Sequence, residues 1–221
     1  ISVNCKKGYL WKIGTIGKPI EHIEVKIAED GEILCKGSNI MLGYYKNEEQ
    51  THNAIDEDGF FHTGDIGFLD EEGFLTITDR KKEMFKTSGG KYIAPQYIEN
   101  KLKQSRFIEQ AMVVGEGEKM PAAFLQVNFA FVREWLKRHG DKQTLSNEAL
   151  VKDERVRERI TQEVECINKK LGKWEQIKVF DLTPDEWSID GGHLTPTLKL
   201  KRRIILEKYK DMYNTFYNKE S

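Results

Sequence analysis

Three segments of the chain carry residue types that could do chemistry. In His62-Thr63-Gly64-Asp65-Ile66-Gly67 an aspartate stands among glycines where a strand pattern meets a turn. A carboxylate held there can accept hydrogen bonds from both hydroxyls of a ribose, the use an acidic side chain has in dinucleotide sites. In Lys86-Thr87-Ser88-Gly89-Gly90-Lys91 the paired glycines permit a tight turn or a close backbone approach to a ligand, and Lys86 and Lys91 could meet phosphate. This run is not a Walker loop: Phe85 stands where the first Gly is required, and Tyr92 where Ser or Thr must follow Gly90-Lys91. In Gly191-Gly192-His193-Leu194-Thr195-Pro196-Thr197-Leu198-Lys199 a loop presents a lysine just before a basic run, a way to bring a mobile point charge to charge developing on phosphate. Singly, each has a bland reading: turn chemistry, a charged hairpin, a solvated helix start.

The elements that must position these residues follow from pattern. Up to Asp79 short alternating runs are punctuated by turns, as in Ile23, Val25 and Ile27, then Glu29-Asp30-Gly31, then Glu32-Ile33-Leu34-Cys35. A second hairpin follows across Asp70-Glu71-Glu72-Gly73. Residues 1–79 are therefore expected to be mostly β, with a short helix near 48–54. After Arg80 the grammar changes. Ala94-Pro95 starts a helix that should end near Ser105, strands are expected at 108–114 and 122–128, and a helix at 130–138 stops at Gly140. Val156, Ile160, Val164, Ile167 and Leu171 fall at helical spacing, giving an amphipathic helix over roughly 152–171. A strand at 176–182, a loop to Thr197 and a basic terminal helix complete the α+β reading.

Of the 221 residues, 38% are hydrophobic and 32% charged, which excludes wholesale disorder and predicts one large domain or two small ones. No apolar run approaches the roughly 18–20 residues that span a bilayer, and the first residues lack a secretion pattern, so a cytoplasmic protein is expected. Cys5, Cys35 and Cys166 are far apart and lack ligand spacing, which indicates neither a disulfide framework nor a metal site. The net charge of -1 hides a step: residues 1–79 sum to -8 and residues 80–221 to +7. Two lobes of opposite sign can bind each other or a polyanion between them. Nucleic acid is disfavoured, because the basic residues are interspersed with acids and no recognition motif is present. Arg133, Lys137 and Arg138 beside Phe131, Trp135 and Leu136 suggest an interfacial helix, against which stands an ordinary surface helix. The chain opens on Ile1 rather than Met, the expectation for a piece of a longer protein.

Together and in order, these segments resemble the closing third of the adenylate-forming superfamily, most closely the AMP-forming long-chain acyl-CoA synthetases. Glu32-Ile33-Leu34-Cys35-Lys36-Gly37 with Met41-Leu42-Gly43-Tyr44-Tyr45 is similar to the family's "GEL…G…GYY" stretch, Thr63-Gly64-Asp65 to its "TGD", and Asp79-Arg80-Lys81-Lys82 to its "DR.K" hinge. Leu194-Thr195-Pro196-Thr197-Leu198-Lys199-Leu200-Lys201-Arg202 is similar to its terminal lysine motif. The resemblance implies a truncated β-rich last subdomain (1–79) of a large adenylation domain, then a mobile C-terminal α/β domain (80–221) turning on a hinge near 79–82. It implies two half-reactions: fatty acid and Mg-ATP give acyl-adenylate and pyrophosphate, then coenzyme A displaces AMP. On this reading Asp65 and Arg80 hold the ribose, Lys82 is the pivot, Lys199 bridges carboxylate and α-phosphate, and Gly89 and Gly90, with Lys86 near, border the coenzyme A tunnel. Leu198 stands where many members have Gly, which leaves Lys201 a rival to Lys199. The phosphate loop and the Mg2+ ligands are expected upstream, so the fragment alone should have little activity. A ligase for another carboxylic acid or for a carrier protein is an alternative. So is a non-catalytic module whose basic half binds an acidic partner or, peripherally, an anionic membrane.

Overall fold

The computed structural model describes residues 1–5, 11–141 and 144–218. The chain divides into two compact units, Ile1–Met84 and Phe85–Ser221. Asp79, Arg80, Lys81 and Lys82 thus all belong to the first.

The first unit contains β1 (Ser2–Val3), β2 (Lys18–Pro19), β3 (Ile23–Ile27), β4 (Glu32–Gly37), α1 (Glu48–Ala54), β5 (Phe61–Leu69) and β6 (Leu75–Arg80). Strands β3 to β6 form an antiparallel sheet in sequence order, and β1 pairs with β2. Local turn chemistry fixes the hairpins. Asp70 Oδ1 accepts from the Glu72 and Phe74 amides, and Asp56 Oδ1 from the Phe60 amide, so each aspartate side chain closes its own turn. Ile33, Leu34, Cys35, Phe60, Ile66, Phe74 and Leu75 form the buried interior. Gly67 is dictated by close approach, since a Cβ there would lie 2.2 Å from the Thr76 carbonyl oxygen across the ladder.

The second unit contains β7 (Phe85–Lys86), β8 (Tyr92–Ile93), α2 (Pro95–Leu102), β9 (Ile108–Val114), β10 (Ala122–Val127), α3 (Phe129–Arg138), α4 (Asn147–Leu150), α5 (Glu154–Asn168), β11 (Val179–Thr183), α6 (Arg202–Lys208) and α7 (Lys210–Phe216). Strand β10 is central, antiparallel to β9 and parallel to β11. Alternation sends Ala111, Val113, Ala123 and Leu125 to one face, where Ile98, Val132, Ile160 and Val164 of the helices cover them. Met112, Val114, Ala122 and Phe124 go to the other, under Trp187, Ile205, Tyr209 and Phe216. Phe131 and Trp135, the aromatic residues of the suggested interfacial helix, pack edge-on against Phe107 at 5.0 and 5.6 Å.

Several boundaries differ from the sequence reading. Helix α2 ends at Leu102, before Ser105. Helix α5 starts at Glu154 because the Asp153 side chain caps it, and stops at Asn168, whose amide clasps the Ile177 backbone. That clasp delays β11 to Val179, where pairing with Ala122 begins. The terminal helix is two helices, broken at Tyr209, whose buried hydroxyl donates to Asp185 at 2.5 Å.

Candidate functional site

The Thr63-Gly64-Asp65 segment is a bulge. Leu34 pairs with His62 and Glu32 with Ile66, so three residues of β5 face one of β4. Side chains supply the bonds the ladder loses there: Thr63 Oγ1 donates to the Ile33 carbonyl at 2.7 Å, and the Gly64 amide donates to Glu32 Oε1 at 2.9 Å. Gly64 takes φ of +70°, a conformation that favours glycine. The bulge turns Asp65 toward its cross-strand partner Arg80, and Arg80 Nε lies 2.7 Å from Asp65 Oδ1. Arg80 is 60% exposed and Asp65 20%, so the pair is open to a ligand.

Behind the bulge lies Glu32, 3% exposed. Besides Gly64, its carboxylate accepts from His62 Nδ1 at 2.9 Å and from Lys81 Nζ at 2.8 Å. Burial acts to raise the Glu32 pKa, but the Lys81 and His62 bonds outweigh it and hold the carboxyl below its usual range. The Lys81 ammonium also pairs with Asp30 at 2.7 Å, and its amide donates to the Gly64 carbonyl at 2.8 Å. Lys82 follows in an exposed turn.

In the second unit, Lys86 and the glycine pair occupy the hairpin between β7 and β8. The Gly90 amide donates to the Thr87 carbonyl at 2.9 Å and the Thr87 amide to the Lys91 carbonyl at 2.9 Å. A Cβ at Gly89 would meet nothing within 4 Å, so this turn presents open backbone. Lys86 Nζ sits 5.4 Å from the Tyr92 ring centre, a cation–π contact.

The lysine loop repeats this construction. The Leu198 amide donates to the Thr195 carbonyl, the Thr195 amide to the Lys199 carbonyl, both at 2.8 Å, and the Lys199 amide to Thr195 Oγ1 at 3.1 Å. Pro196 supplies the φ that the turn's second position requires. A bridge between Leu194 and Leu200 closes the loop's base, and the Lys201 amide donates to the His193 carbonyl at 2.8 Å. Lys199 is exposed, and no carboxylate pairs with it among the described residues; Lys201 is half-buried at the start of α6.

Two anchors hold that base. Arg202 donates from Nη1 and Nη2 to the two oxygens of Glu99 at 2.7 and 2.8 Å, and Glu99 also accepts from the Val113 amide at 2.7 Å. His193 is 4% exposed, and its Nε2 accepts from Lys208 Nζ at 3.2 Å. Lys208 reaches Asp185 at 3.1 Å, and His193 Nδ1 is buried with no hydrogen-bond partner among the described residues. Burial first, then Lys208, pushes the His193 pKa down.

The structure thus brings Asp65 and Arg80 together in the first unit, and carries Lys86, Gly89, Gly90 and Lys199 on two turns of the second. Sequence reasoning assigned no role to Glu32, Lys81 or Glu99. The available signal was an acid inside an apolar pattern: Glu32 heads a four-residue buried run, and Glu99 shares the α2 face of Pro95, Ile98 and Leu102. Among the described residues, no three His, Cys, Asp or Glu side chains converge to hold a metal ion. No helix among them is long and apolar enough to cross a membrane.

The long-chain-fatty-acid–CoA ligase FadD15 of Mycobacterium tuberculosis is 39% identical over 209 residues, covering 95% of this chain and 35% of that protein. The rat long-chain-fatty-acid–CoA ligase ACSBG1 is 33% identical over 234 residues, covering 96% of this chain and 32% of its own length. The chain therefore spans about a third of the curated relatives it matches. Among solved structures, the A domain of carboxylic acid reductase from Segniliparus rugosus, in complex with AMP and a co-purified carboxylic acid, superposes with a TM-score of 0.65 at 22% identity. That match covers 95% of this chain and 33% of the reductase chain, and it shares the fold. Residues 83–221 match the family described as AMP-binding enzyme C-terminal domain, and the chain belongs to that family of AMP-binding enzymes.

Proposed function

We propose that the chain is the C-terminal part of an AMP-forming long-chain fatty-acid–CoA ligase, with fatty acid, ATP and coenzyme A as its substrates. The single observation that carries this is the Asp65–Arg80 pair, set by a bulge at 2.7 Å on neighbouring strands. It offers an acceptor and a donor side by side, which suits the two hydroxyls of a ribose. The names of FadD15 and ACSBG1 supply the acid class.

In the first half-reaction the fatty-acid carboxylate attacks the α-phosphate of ATP, and pyrophosphate leaves. Carboxylate and polyphosphate repel, and an ammonium between them relieves that repulsion most in the transition state. We assign this role to Lys199 rather than Lys201, because Lys199 stands exposed at the end of a hydrogen-bonded turn, with no carboxylate paired to it among the described residues. In the second half-reaction the thiol of coenzyme A attacks the acyl carbonyl and AMP leaves. Gly89 and Gly90, with open backbone, and Lys86 border the pantetheine path. The C-terminal domain moves between these tasks by rotation at Lys82, with Asp65 and Arg80 staying together on the first unit. The ligands of Mg2+ would come from other parts of the full-length protein, which would act in the cytoplasm or peripherally at a membrane.

Incubating the full-length protein with ATP and a panel of acids, with pyrophosphate release as readout, tests this. Release with long-chain fatty acids is expected. Release only with aryl or short-chain acids contradicts the acid class, and none with any acid contradicts the activity.

A further inference from the structure

We propose that Glu32 is a positioning residue for the nucleotide site, acting through Gly64 and Lys81 to hold Asp65 and Arg80 in register; this rests on the ribose-binding reading above. An ionised carboxylate at 3% exposure is unfavourable unless it is paired and hydrogen-bonded, and an apolar side chain would fill a strand interior without that cost. The position demands a carboxylate because the bulge strands the Gly64 amide, which Glu32 Oε1 takes at 2.9 Å. Glu32 Oε2 takes Lys81 Nζ at 2.8 Å. Gly64 precedes Asp65, and Lys81 follows Arg80. One buried side chain therefore grips the neighbour of each member of the pair, and the Lys81 amide bond to the Gly64 carbonyl, 2.8 Å, closes the ring.

The Asp65–Arg80 spacing is therefore set before a nucleotide arrives, so no binding energy is spent ordering it.

Three variants of the full-length protein test this: Lys81→Ala, Lys81→Arg and Glu32→Gln. Lys81 is 45% exposed, so truncating it opens no cavity. The readouts are AMP affinity, measured by displacement of a fluorescent AMP analogue, and the split between KM for ATP and kcat for pyrophosphate release. Lys81→Ala and Glu32→Gln are expected to weaken AMP binding about five- to tenfold, with the loss in KM rather than kcat. Lys81→Arg should recover most of it. Wild-type AMP affinity in both Lys81→Ala and Glu32→Gln, even with a lowered melting temperature, reduces Glu32 to a structural role and overturns the inference. Wild-type protein that binds no AMP overturns the ribose-binding reading, and the inference with it.

Discussion

Leu198 and Gly90 hold the same left-handed place in two turns of matching hydrogen-bond pattern, with φ of +59° and +77°. Each turn begins on a threonine, Thr195 or Thr87, and ends on a lysine, Lys199 or Lys91, whose amide meets the threonine hydroxyl. Glycine adopts this conformation freely, whereas a leucine there costs about 1 kcal/mol. Leu198 is 66% exposed, so no packing offsets the strain. Leu198→Gly should stabilise the protein by about 0.5 kcal/mol after the unfolded-state entropy of glycine is counted, and Leu198→Ile should destabilise it by about 1 kcal/mol. Urea unfolding midpoints check both; a stabilising Leu198→Ile would refute the strain.

Glu99 and Arg202 lie 103 residues apart in sequence and join α2 to the first turn of α6. The Glu99 side chain is 5% exposed, so removing Arg202 takes a two-point cationic partner from a buried carboxylate. Arg202→Ala should cost about 3 kcal/mol, and Arg202→Lys, which keeps the charge and loses the two-point geometry, less than that. Denaturant titration measures both, and equal losses would show that the charge contributes nothing.

His193 gives a pH dependence of defined sign. Its folded pKa lies below the ordinary 6.5, from burial and then from Lys208, while Asp185 acts in the opposite direction. The folded state therefore binds fewer protons than the unfolded one, and the contribution is intact above pH 6.5 and lost as the pH falls below it. His193→Gln, which can still accept from Lys208, should flatten that limb of the stability profile. Melting temperatures across this range check it, and an unchanged slope in the variant would assign the dependence to other groups.

What was legible in the sequence was local. The turns at Asp30-Gly31 and across Asp70 to Gly73 could be read because each aspartate side chain closes its own turn, and α5 because Val156, Ile160, Val164 and Ile167 share one face. The parallel pairing of β10 with β11 joins Ala122 to Val179, which no local pattern encodes. The break at Tyr209 depends on Asp185 and Trp187, elements apart in the chain. At the candidate site, motifs point to Asp65 and Arg80, but Glu32 behind them belongs to no chemical motif, and its burial rests on partners, His62, Gly64 and Lys81, that lie 30 or more residues away.

The most direct test of the central claim separates the two half-reactions in the full-length protein carrying Lys199→Ala. ATP-dependent pyrophosphate release should fall by at least about a hundredfold, the scale of losing one charge-stabilising donor, while thioester formation from preformed acyl-adenylate stays near the wild-type rate. Adenylation at the wild-type rate, or equal loss in both half-reactions, would contradict the delivery of this lysine to the phosphate in the first half-reaction alone.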